Sequence, residues 1–187
     1  ASRWLVPRLS RFTGASPQFS LRLSTTMDTI DVRNPGGVPT SQLIDLREDE
    51  HQISIRYGNG DYPGHRVHLL MAPGYAVACS PILMRAKRPM RKPSDLRWHA
   101  LIHDDTIPAN EERLLWRKWL DAAGAEGVDP DPGPRFGNAA LAVDAAIDGL
   151  GLVLALKPLL MDAVRAGRLV LPFDVGIPSR YAYYLVI

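Results

Sequence analysis

The run RFGNAALAVDAAIDGLGLVLA, residues 135–155, constrains the fold more than any other stretch of the chain. Phe136 reads as the end of a strand, Ala139 to Asp148 as an alanine-rich helix, Gly149 and Gly151 as its stop, and Leu152 to Leu156 as the next strand. Strands separated by helix patterns argue for parallel sheets covered on both faces, an α/β fold.

The rest of the chain repeats this alternation. Ser2 to Phe12 places Trp4, Leu5, Leu9 and Phe12 on one helical face and stops at Gly14, with Pro7 tolerable only near a first turn. Phe19, Leu21 and Leu23 alternate with polar residues as in a half-buried strand. Ile53 to Tyr57 and Tyr75 to Cys79 are short strands, and His65 to Met71 patterns as extended chain. NEERLLWRKWLDAAG is the clearest helix, with Asn110 as its cap and Gly124 closing it. Lys157-Pro158 opens a helix that runs through Val164, LVLPF starts a further strand, and YAYYLVI is the last one. Between Ser24 and Ile53 the tetrapeptides TIDV and LIDL, centred on Asp31 and Asp45, look like two versions of one element separated by NPGGVP.

Bulk properties exclude several classes. With 187 residues the chain can bury a core without staples, and its one cysteine, Cys79, excludes an internal disulfide framework. No apolar run reaches membrane-span length and the basic amphipathic start lacks a signal-type apolar core, so a cytoplasmic location is expected. A start in helical pattern at Ala1 suggests that a longer protein precedes it. A net charge of +2 is too small to argue for nucleic acid, and the one basic cluster, RAKRPMRKP, reads as a solvated loop interrupted by Pro89 and Pro93.

The chemistry-bearing residues form no catalytic constellation. The glycines of IRYGNGDYPG could cradle a phosphate only if they ran into a helix, whereas the following HRVHLLM is extended; a turn with glycines at positive φ is the better reading. His65 and His68 would point to opposite faces of a strand, so no metal site is expected. Cys79 has no nucleophile signature around it. What remains are polar residues at strand ends and helix starts: Ser24, Thr25 and Thr26, then Tyr57, Ser80, Gly137 and Asn138. Each could be only a helix cap, but together they suggest a small-ligand cleft of the kind open α/β sheets form.

The ordered set SRWLVPRLSRF, LRLSTT, IRYGNGDYPG, ACSP, SDLRWHALIHDD, WRKWLDAAG, RFGNAALAVDAAIDGLGLVLA, AGRLVLPF and YAYYLV covers nearly the whole chain. It resembles the effector-binding domain of LysR-type transcriptional regulators, in the branch of the glycine-cleavage activator and the β-lactamase regulator. That resemblance implies two Rossmann-like lobes of the type II periplasmic-binding-protein kind with a small effector held in a central cleft. Residues 1–70 plus 172–187 would form the first lobe and 71–171 the second. It also implies an N-terminal winged helix-turn-helix that is absent from this chain and alone reads DNA, and assembly into homodimers or homotetramers.

On the same resemblance Tyr183 matches a cleft tyrosine of the last strand, and an acidic residue that sets the inactive and active states falls on Asp31 or Asp45. Thr25, Thr26, Tyr57, Gly58, Ser80 and Asn138 complete the expected effector-binding set. No cofactor and no catalytic residue are expected. A carboxylate-bearing effector would suit threonine hydroxyls and helix N-termini. The competing readings are a solute-binding protein of a transporter and an enzyme pairing Asp31 or Asp45 with His103.

Overall fold

A computed structural model describes residues 2–18, 53–107 and 109–187. Thr25, Thr26, Asp31 and Asp45, and the strand expected at Phe19 to Leu23, lie outside the described residues. The chain divides into two units, Ala1–Arg22 with Gly74–Pro178, and Leu23–Pro73 with Ser179–Ile187.

The larger unit is built on a five-stranded sheet. Its strands are β3 (Gly74–Cys79), β4 (Leu101–Asp104), β5 (Arg135–Phe136), β6 (Leu152–Leu156) and β7 (Gly176–Pro178), in the order β5-β4-β6-β3-β7. The other unit holds β1 (Ser54–Gly58), β2 (Val67–Met71) and β8 (Ala182–Val186). Helices α1 (Ser2–Ala15), α2 (Pro81–Met84), α3 (Ala109–Ala122), α4 (Ala139–Ile147) and α5 (Lys157–Arg165) all belong to the larger unit.

Only the β5-β4-β6 part of the larger sheet is parallel; β3 pairs antiparallel with both β6 and β7. This corrects the expectation of parallel sheets. Parallel neighbours need a crossover between them, and α3 and α4 supply it for β4, β5 and β6. The link from β3 to β4 carries only the four-residue α2 and a 3-10 turn at Pro93–Trp98, and β7 follows α5 through irregular chain. The LVLPF stretch is not a strand: only Val170 bridges, to Cys79.

Every residue of β6 and all of β3 after Gly74 is buried, as a sheet covered on both faces requires. On one face Ala76, Ala78, Ile102, Val153 and Ala155 meet Ala142, Val143 and Ala146 of α4 and Leu160 and Ala163 of α5. Alanines on both sides let α4 lie close to the strands, which explains why this helix reads as so alanine-rich. Its N-cap is Asn138, whose side-chain oxygen accepts the Leu141 N–H at 2.9 Å. The helix α3 begins at Ala109, one residue before the expected cap, and ends where Gly124, at φ 63°, lets Ala125 N–H bond the Leu120 carbonyl.

Pro7 lies inside α1, well past its first turn, so the Arg3 carbonyl loses its helical donor there. The helix is held from outside. Arg3 pairs with Asp144 of α4, and Arg8 donates to Asp162 of α5 at 3.0 Å. These pairs place α1 with Gly74–Pro178, a grouping that differs from the lobe expected at residues 1–70. The strands shift the other junctions too: β2 extends to Met71 to pair with Tyr183, and β7 reaches Pro178 to pair with Gly74.

The hydrogen bond from Arg8, with the charges of Arg8 and Arg165, holds the Asp162 carboxyl below its usual range. A depressed folded-state value means that its contribution is present above the unfolded carboxylate pKa and is lost as pH falls through the folded one. Arg8→Gln is therefore expected to raise the Asp162 titration midpoint, read by side-chain NMR; an unmoved midpoint would show that the contact does not persist in solution.

Among the described residues the second unit holds a three-stranded antiparallel sheet in the order β1-β8-β2. The IRYGNGDYPG loop connects β1 to β2, and Gly60 and Gly64 both adopt positive φ, at 86° and 81°. A Cβ on Gly60 would lie 2.6 Å from the tip of the Tyr184 ring, which would have to move aside, and the positive φ is what calls for glycine there. Tyr62 packs edge-on to the same ring at 6.2 Å. Extended β2 follows, so this loop is a turn capping an aromatic rather than a phosphate cradle.

Candidate functional site

In the sheet of the second unit Tyr57 of β1 lies directly opposite Tyr183 of β8, and Gly58 opposite Ala182. Residues two apart on a strand share a face, so Tyr181 joins Tyr183 on the side that Tyr57 occupies. The ring centroids are 4.8 Å apart for Tyr57 and Tyr183, and 5.8 Å, edge-on, for Tyr57 and Tyr181. Three aromatic rings thus form one cluster, with Tyr181 and Tyr183 each only 8% exposed.

Ser179 gives this cluster its polar handle. Its Oγ lies 2.6 Å from the Tyr57 hydroxyl and accepts the Tyr181 backbone N–H at 3.0 Å, while its own N–H bonds the Pro73 carbonyl at 3.2 Å. Either hydroxyl of the Tyr57–Ser179 pair can donate to the other, so the pair can reverse its polarity to suit a polar group placed against it. An aromatic cluster edged by such hydroxyls suits a small organic molecule with one or two polar groups. Ser179 and Tyr181 were not among the expected site residues. The sequence signal was the i, i+2 tyrosine spacing of YAYY opposite the tyrosine of IRYG.

Ser80 and Asn138 belong to the larger unit, and the structure does not bring them together. Ser80 follows β3, whose Cys79 pairs with Leu152 at the start of β6. Asn138 follows β5, whose Phe136 pairs with Asp104 at the end of β4, and β4 and β6 run in the same direction. The two residues lie at opposite ends of the sheet because β3 runs against its neighbours. Ser80 is buried at the start of the four-residue α2 and makes no side-chain capping bond. Asn138 is exposed and uses its carbonyl oxygen as a cap. Asn138→Ala is expected to cost about 1 kcal/mol and Asn138→Asp much less, measured by denaturant unfolding; equal losses would show that the cap bond is not what the side chain contributes.

The other candidate groups have structural places. Burial pushes the Cys79 thiol up to about 12, which keeps it protonated and unreactive near neutral pH. His103 is buried in β4. Among the described residues no group of three or more His, Cys, Asp or Glu is arranged to hold a metal ion, and no helix is long and apolar enough to cross a membrane.

Comparison with known proteins places this architecture. The glycine cleavage system transcriptional activator of Escherichia coli (strain K12) is 34% identical over 190 residues, which cover 100% of this chain and 54% of that protein. The transcriptional activator AmpR of Rhodobacter capsulatus is 31% identical over 182 residues, covering 97% of this chain and 54% of that protein. The chain thus spans about half the length of the curated relatives it matches. Among solved structures, the effector domain of AmpR from Pseudomonas aeruginosa superposes with a TM-score of 0.67 at 25% identity, over 98% of this chain and 78% of that one. The AmpR effector-binding domain from Citrobacter freundii gives 0.70 at 23% identity, over 97% and 80%. These neighbours share the type II periplasmic-binding-protein-like α/β fold. The family described as the LysR substrate binding domain matches residues 37–187, and the chain belongs to that family.

Proposed function

We propose that this chain is the effector-sensing and oligomerising part of a LysR-type transcriptional regulator. It binds a small molecule, and the bound molecule favours one arrangement of the assembled subunits over another, which changes how the whole protein acts at a promoter. The observation that carries this reading is the Tyr57–Tyr181–Tyr183 cluster with its Ser179 hydroxyl, on a chain of this family. The names of the relatives above favour it over a transporter's solute-binding protein or an enzyme.

In this reading the two units described above are the two lobes, Tyr57, Gly58 and Tyr183 contact the effector, and Thr25, Thr26, Asn138 and one of Asp31 and Asp45 complete the set. A carboxylate on the effector suits threonine hydroxyls and the Asn138 cap region. The protein is cytoplasmic, works as a homodimer or homotetramer, has no catalytic activity, and reads DNA sequence through a winged helix-turn-helix upstream of this chain.

A thermal-shift screen of amino acids and small organic acids tests the reading, because a ligand at a hundredfold its Kd stabilises the protein by about 2.7 kcal/mol. For any compound that shifts the wild-type chain, Ser179→Ala and Tyr57→Phe are expected to weaken binding about tenfold, the size of one lost polar contact. Unchanged affinity in both variants would remove this cluster from the site.

A further inference from the structure

The segment that follows α2 holds the most concentrated charge in the chain. Residues 85–97 contain six cations (Arg85, Lys87, Arg88, Arg91, Lys92 and Arg97) against one acid, Asp95, so they carry +5 where the whole chain carries +2. The remainder of the chain is therefore net acidic, at −3. All six cationic residues are exposed, and none is in an ion pair among the described residues.

Composition alone favours a solvated loop, but the folded segment is anchored. Met90 and Leu96 are buried beneath it, at 4% and 0% exposure. The one acid is spent on the backbone: the Asp95 carboxylate accepts the N–H groups of Arg91 and Lys92 at 2.9 and 3.0 Å. The His99 ring nitrogen lies 3.0 Å from the Arg88 carbonyl. The Arg88 guanidinium stacks 4.3 Å from the centre of the Trp98 ring, which is itself 54% exposed. Cations held on a fixed frame lose less freedom on meeting a partner than cations on a free loop.

The geometry points to a docking surface for the phosphate backbone of duplex DNA, used without reading sequence. An anchored cationic array beside an exposed aromatic fits a polyanion, because each neutralised phosphate releases condensed counterions. The choice of DNA over other polyanions rests on the regulator reading, which holds this domain next to a promoter. Sequence-specific contacts remain with the upstream domain; the loop adds affinity only.

The test is fluorescence anisotropy of the chain with a random-sequence duplex across a salt series from about 25 to 200 mM. With four to six phosphates contacted, log K is expected to fall against log salt with a slope of about −4 to −5. Lys87→Gln/Arg91→Gln should flatten that slope by about 2 units and weaken low-salt binding about tenfold or more. The control Arg117→Gln/Lys118→Gln changes net charge equally on exposed positions of α3 and should leave the slope in place. Absent salt-dependent binding, or equal effects of the two double variants, would overturn the proposal. Poly-L-glutamate that displaced the duplex at equal charge concentration would overturn the assignment to DNA and point to an acidic polypeptide. The thermal-shift screen does not depend on this loop, so failure here leaves the effector reading standing, and failure there does not touch this result.

Discussion

Gly133→Ala is expected to destabilise the larger unit by about 3 kcal/mol or more, lowering its thermal midpoint by roughly 10 °C or more. Gly133 precedes β5 at φ 152°, and a Cβ there would sit well inside van der Waals contact of the Leu101 backbone carbonyl. That neighbour is backbone, so no side chain can swing aside. Relief requires β4 and β5 to separate, and the next residues are those that pair: Pro134 accepts the His103 N–H, and Arg135 lies opposite His103. Gly127→Ala is the matched control. It also carries a positive φ, 72°, but nothing lies within 4 Å of its Cβ position, so it should cost only about 1–2 kcal/mol of backbone strain. Similar losses for the two variants, followed by near-ultraviolet circular dichroism on heating, would contradict the close approach at Leu101.

The second large effect separates two tryptophans of α3 that the sequence cannot tell apart. Trp116 and Trp119 are both buried and pack edge-on at 6.4 Å. Trp119 also donates its indole N–H to the Val175 carbonyl at 3.0 Å and packs 6.1 Å from Phe173, tying α3 to the chain that leads into β7. The Trp116 indole N–H is buried with no hydrogen-bond partner among the described residues. Trp119→Ala should therefore cost about 3–5 kcal/mol through lost packing and a stranded carbonyl. Trp116→Phe removes a buried donor that gains nothing in return, so it should be far milder, about 1 kcal/mol or less. Denaturant midpoints of these two variants and of the matched Trp119→Phe check this; a Trp116→Phe loss as large as that of Trp119→Phe would mean that the Trp116 N–H has a partner in solution.

Local patterns carried the elements whose burial is simple. The Leu152 to Leu156 run, the alanine face of α4 and the amphipathic α3 were all legible, because one core face writes a clear period into the residues. Strand direction was not. Nothing in YAVAC marks β3 as running against β6, since a strand buried on both faces looks the same in either sense. That single ambiguity is what separated Ser80 from Asn138, two residues that end strands alike in sequence and lie at opposite ends of the sheet. β7 escaped notice because three residues, Gly176 to Pro178, are too few to show a period. Ser179 was missed for another reason: its role depends on Tyr57, distant in sequence, and short-range patterns do not report such pairs.

The position of β8 has a consequence for how the protein is made. β1 and β2 do not pair with each other; each is hydrogen-bonded to β8, which lies between them and comes more than a hundred residues later. As the chain emerges during synthesis, Ser54–Gly58 and Val67–Met71 wait for their partner among the described strands while the Gly74–Pro178 sheet is completed ahead of it. The tyrosine cluster is therefore assembled last, and a nascent chain acquires the surface proposed to sense the effector only after the rest of its described architecture has been translated.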